Sequence, residues 1–184
     1  MTDVRKWLAL PSFVDDRRGA ALIEFALLLP FLVLVYLGGF TLSDGFSCSR
    51  KVTIANRALA DLVAQNVTGA TSANEVDSEL AASTQVLAPY SAANVTQRVT
   101  EVYTDIKLQS TVVWSRGLNT TAYKAGAAVT VPLNLRVPGL YVIYAEITYA
   151  YQPPVTFNVV QPFTLTSNLF MLPRNSNSIT CGDC

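Results

Sequence analysis

Between Ala20 and Leu42 the chain runs through 23 residues with a single charged side chain, Glu24, close to the start. As an α-helix that run reaches about 35 Å, enough to cross a hydrocarbon core of about 30 Å. The stretch therefore predicts a membrane-crossing helix around which the rest of the chain must be arranged. A carboxylate in such a helix costs up to roughly 3 kcal/mol at the bilayer centre on insertion scales, and less near its edge. Glu24 calls for a role beyond anchoring.

Composition narrows the remaining chemistry. Of 184 residues none is histidine, which removes most zinc sites and the Ser-His and Cys-His catalytic pairs. From Asp44 onward nine Lys/Arg balance nine Asp/Glu, so net charge does not point to nucleic acid or to an acidic substrate. No cofactor, metal site or small-molecule substrate is indicated, and no catalysis is expected. Beyond the apolar run about 140 residues remain, one ordinary domain with a core of its own.

A cleaved secretory signal fits poorly. Its apolar core would be about 7–15 residues long with an Ala-x-Ala-like exit, whereas Ser43-Asp44-Gly45-Phe46-Ser47-Cys48 has no such pattern. An anchor that is uncleaved, or trimmed only ahead of the membrane, is the better reading. Arg17 and Arg18 abut the span with Arg5 and Lys6 upstream, against Arg50, Lys51 and Arg57 beyond it. This small basic excess, together with the unequal flanks, favours a cytoplasmic N-terminus. The expected layout is a cytoplasmic leader over 1–19, a transmembrane helix over 20–42 and a domain outside the cytoplasm over 43–184.

Local patterns fill in that domain. Pro30 lies inside the apolar helix, where it removes a backbone bond, and Gly38-Gly39 offers a patch for close contacts. Val52, Ala55, Leu59, Leu62 and Val63 recur at helical spacing, predicting an amphipathic helix from about Cys48 to Asn66, ended by Thr68-Gly69. Its continuity with the membrane helix is left open by the pattern. Ser72-Ala73-Asn74-Glu75 is a capping box opening a second helix with Val76, Leu80, Thr84 and Leu87 on one face until Pro89. After Asn94 the period changes. Val102, Ile106 and Leu108 read as one face of an extended segment, followed by Val112-Val113-Trp114. Gly126 to Val131 is a short strand candidate, Tyr141 to Tyr151 the clearest strand, and Phe163 to Met171 the last before Pro173. Helices first and strands later predict an α+β domain with an antiparallel sheet. The polar tail from Asn175 reads as loose.

Two features frame the start of the apolar run. If a peptidase cuts after Gly19, Ala20 gains a free amine and Glu24 stands one helical turn further on. The two could pair within or between subunits, offsetting their desolvation and fixing the stagger of neighbouring helices. The plainer alternative is that Glu24 snorkels to the interface beside Arg17 and Arg18. Charge position alone does not choose between them.

Gly19-Ala20-Ala21-Leu22-Ile23-Glu24-Phe25 resembles the prepilin-peptidase site of Flp-type, tight-adherence (Tad) pilins: glycine, four residues, Glu, aromatic. The longer stretch from Arg18 to Pro30 resembles the opening of TadE/TadF-like minor pseudopilins. Weaker echoes are Val113-Trp114-Ser115-Arg116, Gly126 with Val129-Thr130-Val131-Pro132, Ile147 to Pro153, and Met171-Leu172-Pro173-Arg174. The resemblance implies a minor pseudopilin of a Tad pilus, anchored in a bacterial inner membrane. It implies cleavage between Gly19 and Ala20, Glu24 as assembly carboxylate and Phe25 as motif aromatic. Its implied partners are the membrane, a prepilin peptidase, and other Tad pilus subunits and assembly proteins.

Other signals have plainer readings. Cys181 and Cys184 in Cys-Gly-Asp-Cys form a candidate disulfide suited to an oxidising compartment; a redox pair would sit at a helix start after a strand. Cys48 is then the odd one: a buried or membrane-proximal thiol is expected rather than a reactive one, and an intermolecular disulfide is left open by the sequence. Asn66, Asn94 and Asn119 begin Asn-x-Thr acceptor patterns, which would favour a glycosylated membrane-anchored binding module, the alternative function. Asp77 and Glu79 fall on different sides of a helix and read as solvated surface charges rather than an acid/base pair.

Overall fold

The computed structural model describes residues 19–154 and 161–184. The expected leader, with Arg17 and Arg18, lies outside the described residues apart from Gly19. The chain opens with one uninterrupted helix, α1, over Ala20–Ala64. At 45 residues it is about 68 Å long, so the apolar run and the amphipathic run are one rod. Pro30 is accommodated within it. Every residue from Gly19 to Tyr36 is exposed, and among the described residues nothing buries the large apolar side chains of that stretch.

The second half of α1 carries the domain. Cys48, Val52, Ala55, Leu59 and Val63 are buried at three- and four-residue spacing, while Leu62, expected on that face, is exposed. This stripe lies on a four-stranded antiparallel sheet of order β3-β2-β4-β5, built from β2 (Val95–Thr104), β3 (Ser110–Leu118), β4 (Tyr141–Tyr151) and β5 (Phe163–Met171). Alternation along β4 directs Ile143, Ala145, Ile147, Tyr149 and Tyr151 at the helix, giving two clusters of buried apolar side chains. Asn56 is the polar tie in this layer: its buried Nδ2 donates to the carbonyls of Ala145 at 3.2 Å and Ser167 at 3.0 Å. Helix α2 (Ala73–Thr84) starts at Ser72, whose hydroxyl accepts from the Glu75 amide at 3.3 Å. Glu75 accepts from Thr71 Oγ1 instead of closing the reciprocal half of the box. Val76, Leu80, Thr84 and Leu87 are all buried as the spacing predicted. The fold is α+β, with helices first and an antiparallel sheet after them.

Three local expectations are corrected. Ile106 and Leu108 do not extend the strand with Val102. Ile106 is 85% exposed and Leu108 takes a left-handed φ of 61°, because Asp105 Oδ1 accepts from the Lys107 and Gln109 amides and closes the β2–β3 hairpin there. The Gly126–Val131 candidate makes a single bridge, Thr111 to Ala128, and bonds the β3 backbone only at Ser110 and Val112. It then crosses the outer face of the sheet, where Val131 packs with Val102 and Val142. Its apolar residues cover a surface rather than line a strand.

The tail from Asn175 is the third correction, since it is anchored. Ile179 is fully buried in the main core; its amide donates to Glu101 Oε1 at 2.6 Å and its carbonyl accepts from Trp114 Nε1 at 2.5 Å. Strand β6 (Thr180–Cys181) then pairs in parallel with β1 (Ala70–Thr71). Glu101 thus holds the strap from inside the protein, and burial pushes its carboxyl up to about 7 despite the stabilising bonds from Ile179 and Trp114. A carboxyl raised above its unfolded value stabilises fully below pH about 4.5 and loses that contribution as pH climbs through 7. We expect the full chain in detergent to lose stability on the order of 3 kcal/mol across this window at Glu101. Glu101→Gln should flatten that part of a pH series of urea midpoints; an unchanged slope would refute the assignment.

Candidate assembly helix and its junction with the domain

Gly19 occupies the N-cap of α1 with no side-chain cap, and no acidic residue lies in the first turn. The helix start therefore presents free amides and the positive end of its dipole. Glu24 stands one turn above Ala20, a rise of about 6 Å, on the same side of the rod. Phe25 is next to it and 55% exposed. Among the described residues no other part of the chain covers this end, so Gly19, Ala20, Glu24 and Phe25 sit together on a bare helix.

At the other end of the apolar run α1 enters the domain through a polar clasp that sequence reading missed. Asp44, two residues past Leu42, accepts from the Tyr151 hydroxyl at 2.6 Å through Oδ2, and its Oδ1 lies 3.0 Å from the Tyr90 hydroxyl. Burial, reinforced by the bond to Asp44, pushes the Tyr90 hydroxyl up to about 12. The Tyr151 hydroxyl is raised for the same reasons. Both phenols stay protonated donors under ordinary conditions. The available signal was a lone acid directly after an apolar run; the tyrosines that meet it lie 46 and 107 residues further on. Cys48, one turn above, is fully buried, and desolvation pushes its thiol up to about 11, which makes it a core residue rather than a reactive one.

The remaining candidates are occupied structurally. Asp77 and Glu79 are not the solvated charges expected. Asp77 forms an ion pair with Arg116 of β3. Glu79 is half-buried, and desolvation, with Glu75 adding to it, pushes it up to about 7. Asn66 Nδ2 donates to Ala70 O at 3.0 Å and Asn119 Nδ2 to Val95 O at 2.9 Å, so both amides are engaged in loop closure. Cys181 and Cys184 are joined as a disulfide. Asp183 stands close enough to complete a three-ligand cluster, but the disulfide consumes both thiolates a metal would need, and the carboxylate instead accepts from the Ala73 amide at 2.8 Å. On the outer face of the sheet Arg98 pairs with Glu146 at 2.9 Å under the ring of Tyr123, a packed surface cluster without a cleft.

Comparison with known proteins points to the helix. Residues 19–60 match the family model described as TadE-like protein, a span that opens at the Gly19 cap and closes within the domain-packed half of α1. No curated protein and no solved structure matches the chain.

Proposed function

We propose, from a chain whose residues 19–60 are TadE-like, that this protein is a minor pseudopilin acting in assembly or initiation of a bacterial tight-adherence pilus. The observation that carries the reading is the single rod of α1: a bare apolar half bearing Glu24, continued without a break into the helix that organises the domain. A helix of this kind transmits lateral packing in a membrane or filament directly to a folded head. The role is structural, the kind of work the TadE-like family does.

In this reading residues 1–19 remain in the cytoplasm, 20–42 span the inner membrane and 43–184 fold in the periplasm. A prepilin peptidase removes the leader after Gly19. The new Ala20 amine and the Glu24 carboxylate then neutralise one another within or between neighbouring helices, and other Tad pilus subunits and assembly proteins are the partners. N-terminal sequencing of protein purified from membranes tests the processing step. A chain beginning at Ala20 is expected, whereas an intact Met1 or a start beyond Asp44 would overturn it.

A further inference from the structure

Where α1 leaves the apolar run, the start of β5 leans against it and leaves a groove with a cavity of about 350 Å³. It is lined by Gly38, Thr41, Leu42, Gly45, Phe46 and Ser49 of the helix and by Phe163 and Leu165 of β5. Among the described residues its walls carry no charged side chain. The Thr41 hydroxyl already donates to Leu37 O at 2.9 Å, so its proton is not left to bind a polar guest. The one nearby acid, Asp44, is held by Tyr90 and Tyr151. Phe46 and Phe163 nonetheless remain 64% and 41% exposed. A cavity of this size and lining suits an apolar guest.

Its height along the helix identifies the guest. A hydrocarbon core of about 30 Å within a bilayer of about 40–45 Å leaves several ångströms of headgroup layer on each side. With the span ending at Leu42, Gly45 and Phe46 rise about 4–6 Å further, within that layer. Phe163 is at the same level, because a Cβ built on Gly45 would stand 3.5 Å from its ring. The groove is thus continuous with the bilayer-spanning surface at Gly38 and Leu42 and opens at the boundary between acyl chains and headgroups.

We propose that this groove is a lipid seat: the upper acyl segment of an outer-leaflet phospholipid lies between Gly38–Ser49 of the helix and Phe163–Leu165. The Phe46 and Phe163 rings settle at the interface and fix the depth and tilt of the domain on the membrane. Aromatic side chains favour that level, and apolar area buried there contributes as it does for interfacial helices. The inference rests on the membrane-anchor reading above, and its test separates the two.

Phe163→Cys in the otherwise native full-length chain supplies a site for an environment-sensitive fluorophore, since Cys48 is buried and Cys181 and Cys184 are joined. The unlabelled native chain reports any background. The labelled protein is reconstituted in phosphatidylethanolamine/phosphatidylglycerol vesicles whose acyl chains are brominated either near the carbonyl end or near the methyl end, and floated on a density gradient. Leu133→Cys, placed on the turn beyond the far end of the sheet, is the reference. The label at 163 should lose most of its emission to shallow bromines and less to deep ones, with a blue shift on reconstitution, while the label at 133 is unaffected. Flotation without quenching at 163 overturns the lipid seat and leaves the anchor standing; failure to float overturns both. Blue-shifted emission that resists bromine and depends on the protein-to-lipid ratio would assign the groove to a second copy of the chain and also overturns the proposal.

Discussion

Glu24→Ala is expected to insert as well as the native chain and to leave cells without pili. The sign of the insertion effect is fixed by solvation. Removing the one charge from the apolar run lowers the cost of partition, by up to roughly 3 kcal/mol at the bilayer centre and by less near the edge. Lost piliation therefore cannot be blamed on lost membrane entry. What the variant removes is the only partner within the span for an Ala20 amine, and an uncompensated ammonium in a low-dielectric contact is strongly destabilising. Glu24→Gln keeps the shape without the charge and is expected to fail as alanine does. Membrane fractionation beside counts of surface pili decides the point. Native piliation in either variant would remove Glu24 from the assembly role and leave it as a snorkelling acid.

Trp114→Ala should produce the largest loss of stability in the domain. The side chain is nearly fully buried in the main cluster, and its Nε1 holds the Ile179 carbonyl. Truncating a buried tryptophan costs about 3–5 kcal/mol, a large part of the roughly 5–15 kcal/mol available to a domain. The change also unpins the strap that carries Ile179 and β6. Trp114→Phe separates the two contributions. It keeps most of the packing but orphans the carbonyl, for an expected loss of about 1–3 kcal/mol. Urea midpoints of the full chain in detergent, read with protease sensitivity of residues 173–184, provide the measure. A Trp114→Ala loss under about 1 kcal/mol would show that the strap does not depend on this residue.

Much of this architecture is legible from sequence because it is set locally. The length of the apolar run dictates a rod whatever surrounds it, and the alternation from Tyr141 to Tyr151 fits only a strand with one face in a core. The capping serine at 72 marks where α2 begins. Misreadings arise where a short apolar pattern is compatible with more than one environment. Ile106 and Leu108 keep strand spacing but belong to a turn made by the side chain of Asp105, and Val131 alternates like a strand residue while packing flat on the sheet.

The candidate site divides in the same way. Gly19, Ala20, Glu24 and Phe25 are adjacent in the chain, so a helix of any context places them together, and the family match begins there. The clasp of Asp44 by Tyr151 joins residues 107 apart, and the hold of Glu101 on Ile179 spans 78. Neither leaves a periodic trace, since contacts at such separation depend on how the sheet is laid across the helix.

Sequence alone therefore determined the membrane-length rod with its acid one turn above Ala20, the second helix, the principal strands and the α+β class. Each follows from spacing along a few turns or pleats. Only the tertiary structure decided that the rod is continuous into the domain, that the polar tail is a buried strap, and that β5 leans on the helix to form an apolar groove. Those outcomes depend on which distant surfaces meet, and the free energy of burial that selects them is a property of the assembled layers rather than of any segment.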